Sequence, residues 1–479
     1  MLLKQIYDPY LSQYAYLIGC QRTGEALVID PERDIDRYID IAEENDLVIR
    51  AVAETHIHAD FLSGSREFLE TIGGVTAYLS NMGGEDWQYN WAKDRVDVMP
   101  ISDGDKFWIG KIEITVAHLP GHTPEHVCYI IQDNGGGATE PLGIASGDFM
   151  FVGDVGRPDL LESAAGHVGA REPAARELFK SIVKFADYPD FYQVMPGHGA
   201  GSACGKALGA IPFSTAGYEK RFNSAVRTAL DYGEQAFVDD ILDGQPEPPM
   251  YFARMKKSNR DGVAVLGALP EPEFKDSSEL DALLSSDSPP VCIDVRSDRA
   301  AFMKKHVRGS IFAPYEEKFS EAVGSYVEPE EDILLLVECA SQIDSCVRQL
   351  IRIGYDNIIG FVLIDEALED EGCQDLMREI KSIHTSQMEP EHRILDVRST
   401  REHAEGSVPG ATHVAHTRVV ADKHQLPELG EITVHCRSGL RASLAASALE
   451  RMGYEVTLAD GMFSEWEEKQ KAAEAVSAN

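Results

Sequence analysis

A motif that occurs twice sets the domain map of this chain. Val291–Ser310 reads VCIDVRSDRAAFMKKHVRGS, and Arg393–Ala411 reads RILDVRSTREHAEGSVPGA. Each has a short apolar strand ending in Asp-Val-Arg-Ser, then a charged helix and a Gly. A second apolar strand follows, running into a cysteine-bearing turn, a helix and Gly-Tyr. Strands alternating with helices at this spacing predict a small parallel α/β domain, present twice. Pro-rich breaks at Gly244–Met250, Ser285–Pro290 and 387–392 separate the segments. The expected domains are residues 1–245, 265–385 and 388–479. The first is rich in Gly turns and short β-type runs (YAYLIG, EALVID, IEITVAHL, HVCYIIQD). Helical patterns such as RDIDRYIDIAEEN and REPAARELFKSIVKF intervene. It reads as a mixed, layered α/β domain.

Charge narrows the function classes. Lys and Arg total 44 against 80 Asp and Glu, a formal net charge of −36. Non-specific binding to nucleic acid or to an anionic membrane needs a cationic surface and is not expected. An anionic substrate would have to be captured by a locally positive site. No uncharged apolar stretch reaches the ~18 residues of a membrane span. The start, MLLKQIYDPYLSQYAYLIGC, lacks a basic segment followed by an unbroken apolar one, so no secretory signal is expected. Eight cysteines in so long a chain read as thiols of a reducing compartment. A cytoplasmic location is the expectation.

In the first domain, four turns each place a His or Asp just after an apolar strand. They are Thr55-His56-Ile57-His58-Ala59-Asp60, Pro120-Gly121-His122-Thr123, Ser146-Gly147-Asp148 and Pro196-Gly197-His198-Gly199. Strand C-terminal ends are where α/β sites form, and neutral imidazole is the commonest metal ligand. Any one of these turns is a weak signal; four together are a strong one. They resemble the metallo-β-lactamase superfamily pattern, THxHxDH … GHT … GD … GH. The resemblance implies an αββα sandwich with a metal at one edge. It departs at Phe61, where the family has a His that helps hold a second zinc. Phenylalanine cannot coordinate, so one metal with His and carboxylate ligands is expected. That donor set matches the 2-His-1-carboxylate triad of non-haem Fe(II) oxygenases.

The resemblance narrows to the persulfide dioxygenase branch. It implies His56, His122 and Asp148 as ligands of one Fe(II) per chain. His58, Asp60 and His198 would orient ligands or bond to substrate. Gly156-Arg157-Pro158-Asp159 resembles that branch's Gly-Arg-x-Asp. The implied reaction oxidises a thiol persulfide with O₂ to the thiol and sulfite. A zinc-dependent thioester hydrolase of the glyoxalase II type is the alternative. Arg157 and Lys206 are candidates for a cationic substrate pocket. Cys204, in the Gly-rich stretch after His198, is either a sulfane-sulfur carrier near the metal or a packed thiol; if a helix follows, its N-terminus would favour the thiolate.

The second repeat carries Val434-His435-Cys436-Arg437-Ser438-Gly439-Leu440-Arg441 between a strand and a helix. Backbone N–H groups would wrap the sulfur, and Arg437 and Arg441 would add positive charge, favouring a thiolate that attacks sulfane sulfur. The segment resembles the active loop of rhodanese domains, in which a six-residue loop serves sulfur transfer. A related fold uses a longer loop for phosphate. At the first repeat's equivalent, Cys339 stays but both arginines and the Gly are lost. Cys339 to Gly354 spans 15 positions, against 17 from Cys436 to Gly453. Residues 265–385 therefore read as a rhodanese-like domain without catalysis, with Cys339 as a secondary sulfur carrier the alternative. The whole chain resembles bacterial persulfide dioxygenase–rhodanese fusions. Implied partners are a glutathione- or coenzyme A-type persulfide, O₂, and sulfite or thiosulfate. The family also suggests a homo-oligomer assembled through the first domain. A non-catalytic persulfide sensor is a third reading, against which the intact Cys436 loop speaks.

Overall fold

A computed structural model describes residues 1–163, 166–245, 247–316, 318–389 and 391–477. Pro246 and Pro390, inside two expected linkers, lie outside the described residues. The chain forms two compact units: Met1–Leu269 with Ile351–Gly354, and Pro270–Leu350 with Tyr355–Asn479.

The first unit is built on strands buried on both faces. In Gln13–Cys20, Tyr14, Tyr16, Ile18 and Cys20 enter one core while Ala15 and Leu17 enter another. The period of two sorts alternate side chains to opposite faces. Six strands, from Leu2–Asp8 to Val98–Ile101, pair in sequence order, first antiparallel and then parallel from Glu25–Ile29 onward. A second six-stranded sheet runs Ser214–Thr215, Gln193–Pro196, Gly143–Gly147, Val127–Asp133, Ile112–His118, Lys106–Ile109. Ile18, Leu27 and Ala53 of the first sheet share a core with Ile114, Val116 and Tyr129 of the second. Helices Asp36–Glu43 and Ser65–Thr71 cover the outer face of the first sheet. Helices Arg171–Ala186 and Glu234–Leu242 cover the second. This is the expected αββα sandwich. The unit runs on past the Pro-rich break through the helix Phe252–Asp261, which buries Phe252, Met255, Lys256 and Asn259 on one face.

The second unit holds two parallel sheets of related order. One runs Ile311–Phe312, Val291–Asp294, Ile333–Val337, Ile358–Leu363. The other runs Thr412–His413, Ile394–Asp396, Glu431–His435, Glu455–Asp460, Lys381–His384. The repeated Asp-Val-Arg is the same device in both. Arg296 forks onto Asp294 at 2.9 and 2.7 Å and donates to Lys305 O. Arg398 forks onto Asp396 at 3.0 and 2.6 Å and donates to Gly406 O. Each buried bidentate pair ties the strand end to the end of the helix that follows. Among the described residues, no helix is long and apolar enough to cross a membrane.

Burial alone would raise the Asp396 carboxyl, but the Arg398 guanidinium, with His435 and His403, outweighs it and lowers it to about 2. The unfolded chain titrates near 3.9, so these partners together contribute roughly 2–3 kcal/mol above pH 4, lost as the pH falls through the folded value. Asp396→Asn should therefore destabilise the chain at pH 7 in denaturant unfolding. Its difference from wild type should shrink as the pH is lowered toward 2; a pH-independent difference would contradict the account.

Candidate metal centre and cysteine loop

Four strand ends meet at one edge of the sandwich. His56 follows Val48–Ala53, His122 follows Ile112–His118, Asp148 follows Gly143–Gly147 and His198 follows Gln193–Pro196. One ligand atom each from His56, His122 and Asp148 lies within 4.8 Å of the others, and all three residues are buried. His122 Nε2 is 3.5 Å from Asp148 Oδ2. Both Asp148 oxygens are buried without a hydrogen-bond partner. A buried carboxylate left this way is costly unless a cation completes it. The imidazoles are already oriented for that role. His56 Nδ1 meets the Thr55 hydroxyl at 3.0 Å, and that hydroxyl donates to Asp30. His122 Nδ1 meets the Arg157 carbonyl at 3.1 Å. Each ring thus offers Nε2 to the centre. Burial lowers both imidazoles, His56 well below the usual value with further help from neighbouring histidines. Neutral rings are what a metal requires. Gly197 is bare for a reason: a Cβ there would stand 2.7 Å from Asp148 Oδ1.

The surrounding residues divide into two sets. His58 Nε2 is turned to Asp30 and Glu54, at 3.1 Å from each. Burial opposes its protonation, but the two carboxylates outweigh burial and raise it well above the ordinary value. Glu54 also accepts from the Ser63 and Ser65 hydroxyls. His198 Nε2 stands 3.1 Å from Asp60 and 3.5 Å from Asp148 Oδ1. Phe61 is fully buried against the His58 ring. Asp60, His198 and Cys204 nevertheless form a second buried donor set, within 4.8 Å of one another.

No helix follows Cys204; Gly199 to Phe213 is turns and irregular backbone. Burial, with Asp60 and Asp148 beside it, pushes the Cys204 thiol up to about 12, so the helix-end activation considered from sequence is absent. Arg157 is buried and closed on Asp159 at 2.8 and 2.6 Å, with a third bond to Ala203 O. Lys206 Nζ donates to the carbonyls of Asp240 and Asp243. Both charges are therefore engaged outside the triad.

Sequence reasoning missed several supports. His126 Nε2 accepts from the Asp148 amide at 3.1 Å. Glu125 accepts from the Ile57 amide at 2.8 Å, between the two histidines. Asn259 donates to the carbonyls of His58 and Phe61 and accepts from Ser63 N. Asp30 ends the apolar run EALVID, a signal of the same kind as the other strand-end acids. Asn259 lies about two hundred positions from the loop it holds and carries no such signal.

In the second unit, Cys436 is buried at the end of Glu431–His435. Its sulfur accepts from the Gly439 amide at 3.1 Å, ahead of the helix Leu440–Arg451. Arg441 forks onto Glu402 at 2.6 and 2.8 Å, so its charge is shared with a carboxylate lowered to about 2. Arg437 is exposed. Cys339 is exposed at the start of the short turn Ala340–Gln342, its sulfur 3.0 Å from the Ser341 hydroxyl.

The profile of the metallo-β-lactamase superfamily matches residues 9–198, and that of the rhodanese-like domain matches residues 380–469. A metallo-β-lactamase structure from Staphylococcus aureus subsp. aureus COL is 38% identical, with a TM-score of 0.66, covering 76% of this chain and 98% of that one. The mitochondrial persulfide dioxygenase ETHE1 of Bos taurus is 28% identical over 34% of this chain. The match spans 59% of that relative's own length. The cytoplasmic hydroxyacylglutathione hydrolase of Arabidopsis thaliana is 30% identical over 41% of this chain and 67% of its own.

Asp148→Ala should abolish metal retention, measured as metal per chain after desalting. Thr55→Val, which frees the His56 ring, should weaken metal affinity by about 10- to 100-fold. Unchanged metal content in Asp148→Ala would remove the triad from consideration.

Proposed function

Because this chain belongs to the metallo-β-lactamase superfamily and carries a rhodanese-like domain toward its C-terminal end, we propose that it is a mononuclear iron persulfide dioxygenase coupled to sulfur transfer through Cys436. The observation that carries this reading is the triad itself. Two imidazoles and one carboxylate converge, with the outer nitrogen of each ring already bonded, and Phe61 takes the sequence position at which the superfamily pattern has a further His. His56, His122 and Asp148 would hold one Fe(II), which when bound would supply the dioxygen chemistry.

The chain's own residues do the rest. Thr55 and the Arg157 carbonyl hold the two ligand rings in register. Asn259 and Glu125 fix the backbone that carries His56 to Phe61. Buried Phe151, its ring 6.1 Å from that of His198, helps keep water from the inner side. A thiol persulfide anion (RSS⁻), one O₂ and one water give the thiol, sulfite (SO₃²⁻) and a proton, the outer sulfur being oxidised and O₂ reduced. At the second site, the Gly439 amide supports negative charge on the Cys436 sulfur. The Cys436 thiolate attacks the outer sulfur of a second thiol persulfide and releases the small thiol; sulfite then attacks that outer sulfur, breaks the S–S bond, and leaves as thiosulfate with the cysteine thiolate regenerated. The persulfide carrier in this proposal is a small glutathione- or coenzyme A-type thiol, and the chain is a cytoplasmic homo-oligomer. The eight free cysteines suit a reducing compartment.

A second reading, a zinc-dependent thioester hydrolase of the glyoxalase II type, is favoured by the Asp60, His198 and Cys204 donor set, which offers a second cation a place despite Phe61. The two readings part in one experiment on anaerobically purified protein. The dioxygenase reading expects one iron per chain, O₂ uptake on adding a thiol persulfide, and sulfite release. Cys436→Ser should keep the O₂ uptake and lose thiosulfate formation to background. Two zincs per chain and thioester cleavage without O₂ uptake would overturn it.

A further inference from the structure

The repeat that has lost the arginine-flanked loop still touches the loop that keeps it. Arg299, at the start of the helix Arg299–Lys304, donates from Nη1 to the Ser438 carbonyl at 3.1 Å. The same guanidinium donates from Nη2 to Asp460 at 2.6 Å. Asp460 ends Glu455–Asp460, the strand paired with the one that carries Cys436. The Ser438 carbonyl and the Gly439 N–H belong to one planar trans peptide, so they point in opposite directions. A bond that fixes the carbonyl therefore aims the N–H. That N–H is the one that donates to the Cys436 sulfur at 3.1 Å.

The surroundings fit this arrangement closely. Gly439 has φ +96°, a left-handed conformation that side chains resist. A Cβ there would also strike the Asp460 carboxylate and the Arg299 guanidinium. The helix leaving the loop, Leu440–Arg451, is held to the first repeat at three further points. Ser447 Oγ accepts from Phe312 N at 3.0 Å, Glu450 accepts from Gly309 N at 2.9 Å, and Arg451 pairs with Glu331 at 2.6 Å. Arg299 thus reaches the loop from a repeat in fixed register with it.

We infer that Arg299 is a positioning residue for Cys436: braced by Asp460, it clamps the Ser438–Gly439 peptide so that the Gly439 amide hydrogen stays on the nucleophilic sulfur. The inference rests on the reading of Cys436 as the sulfur carrier and adds a role for the repeat that lacks the loop. A charge-assisted bond on the carbonyl also polarises the peptide and strengthens its N–H as a donor. Arg suits this because its planar fork serves two acceptors at once, whereas Lys carries the charge without the fork. Arg441, Tyr326 and Glu321 also face the Cys436 sulfur or its loop, and His416 joins Tyr326 and Glu321. All stay unchanged in the variants below.

The test is a pH titration of ultraviolet thiolate absorbance on the full chain. Each variant is read against the same variant carrying Cys436→Ser, which isolates the one thiol. Arg299→Ala should move the Cys436 midpoint up by about one pH unit. It should also lower kcat for sulfur transfer from thiosulfate to cyanide about tenfold, with KM little changed. Arg299→Lys should recover less than half of either effect. Arg401→Ala, which removes an exposed Arg paired with Glu405, should match wild type. A wild-type midpoint in Arg299→Ala would overturn the inference. Full recovery in Arg299→Lys would overturn it too, because charge alone would then suffice. If Arg299→Ala fails to fold, Arg299→Lys and Arg299→Gln carry the same comparison. A wild-type chain that transfers no sulfur, together with the shifted midpoint in Arg299→Ala, would defeat the sulfur-carrier reading and support the clamp.

Discussion

Face-to-face packing of two six-stranded sheets is the constraint on which the N-terminal half depends. Strands buried on both sides cannot slip by one residue without moving a whole row of side chains between cores. Tyr16, Leu17 and Ile18 illustrate this, since successive residues belong to different clusters. With register pinned, the ends of four strands from two sheets arrive at one edge. Histidines and an aspartate about 140 positions apart at the extremes, from His56 to His198, become neighbours there without any local sequence preference bringing them together.

That edge is rich in buried polar groups, and most of them are satisfied in chains. Asp30 anchors Thr55, Thr55 anchors His56, and Asp30 also meets His58. Glu125 and Asn259 hold the backbone of the same loop. Against this background the two partnerless oxygens of Asp148 stand out. Glu54, Asp60 and Glu125 each leave one oxygen without a hydrogen bond, but Asp148 leaves both, beside the imidazoles of His56 and His122, an arrangement that a cation completes. Cys204 belongs to the same neighbourhood, but its burial beside two acids favours the thiol rather than the thiolate.

The two parallel-sheet repeats of the second unit share one structural device and differ in another. Both keep the bidentate Asp–Arg pair that locks strand to helix, because breaking it would leave a buried charge unpaired. Only one keeps the glycine-bearing loop around its cysteine. In the other, the corresponding turn is a short 3₁₀ segment, and Cys339 lies exposed. The repeat without the loop lends Arg299 to the repeat that has it, a division of labour that repetition permits.

Local chemistry was legible from residue order alone. A mixed, layered α/β domain, the paired parallel sheets, the strand-end turns carrying His56, His122, Asp148 and His198, and the cysteine loop all follow from periodicity and short motifs, which act over a few residues; the αββα order came only with the family resemblance those motifs carry. The helix Phe252–Asp261 closing on the metal loop through Asn259, and the turning of His58 toward Asp30 and Glu54, were not. Nor were the capture of Arg157 by Asp159, the partnering of Arg441 with Glu402, and the reach of Arg299 to Ser438. These are contacts between side chains and backbone whose partners are chosen by packing, and a linear sequence does not encode which distant group will fill a given vacancy. Residue order determined which donors the chain possesses and where its strands end; the tertiary structure alone decided which of those donors face one another and which are spent on neutralising a charge, because only close packing brings unlike segments within hydrogen-bonding distance.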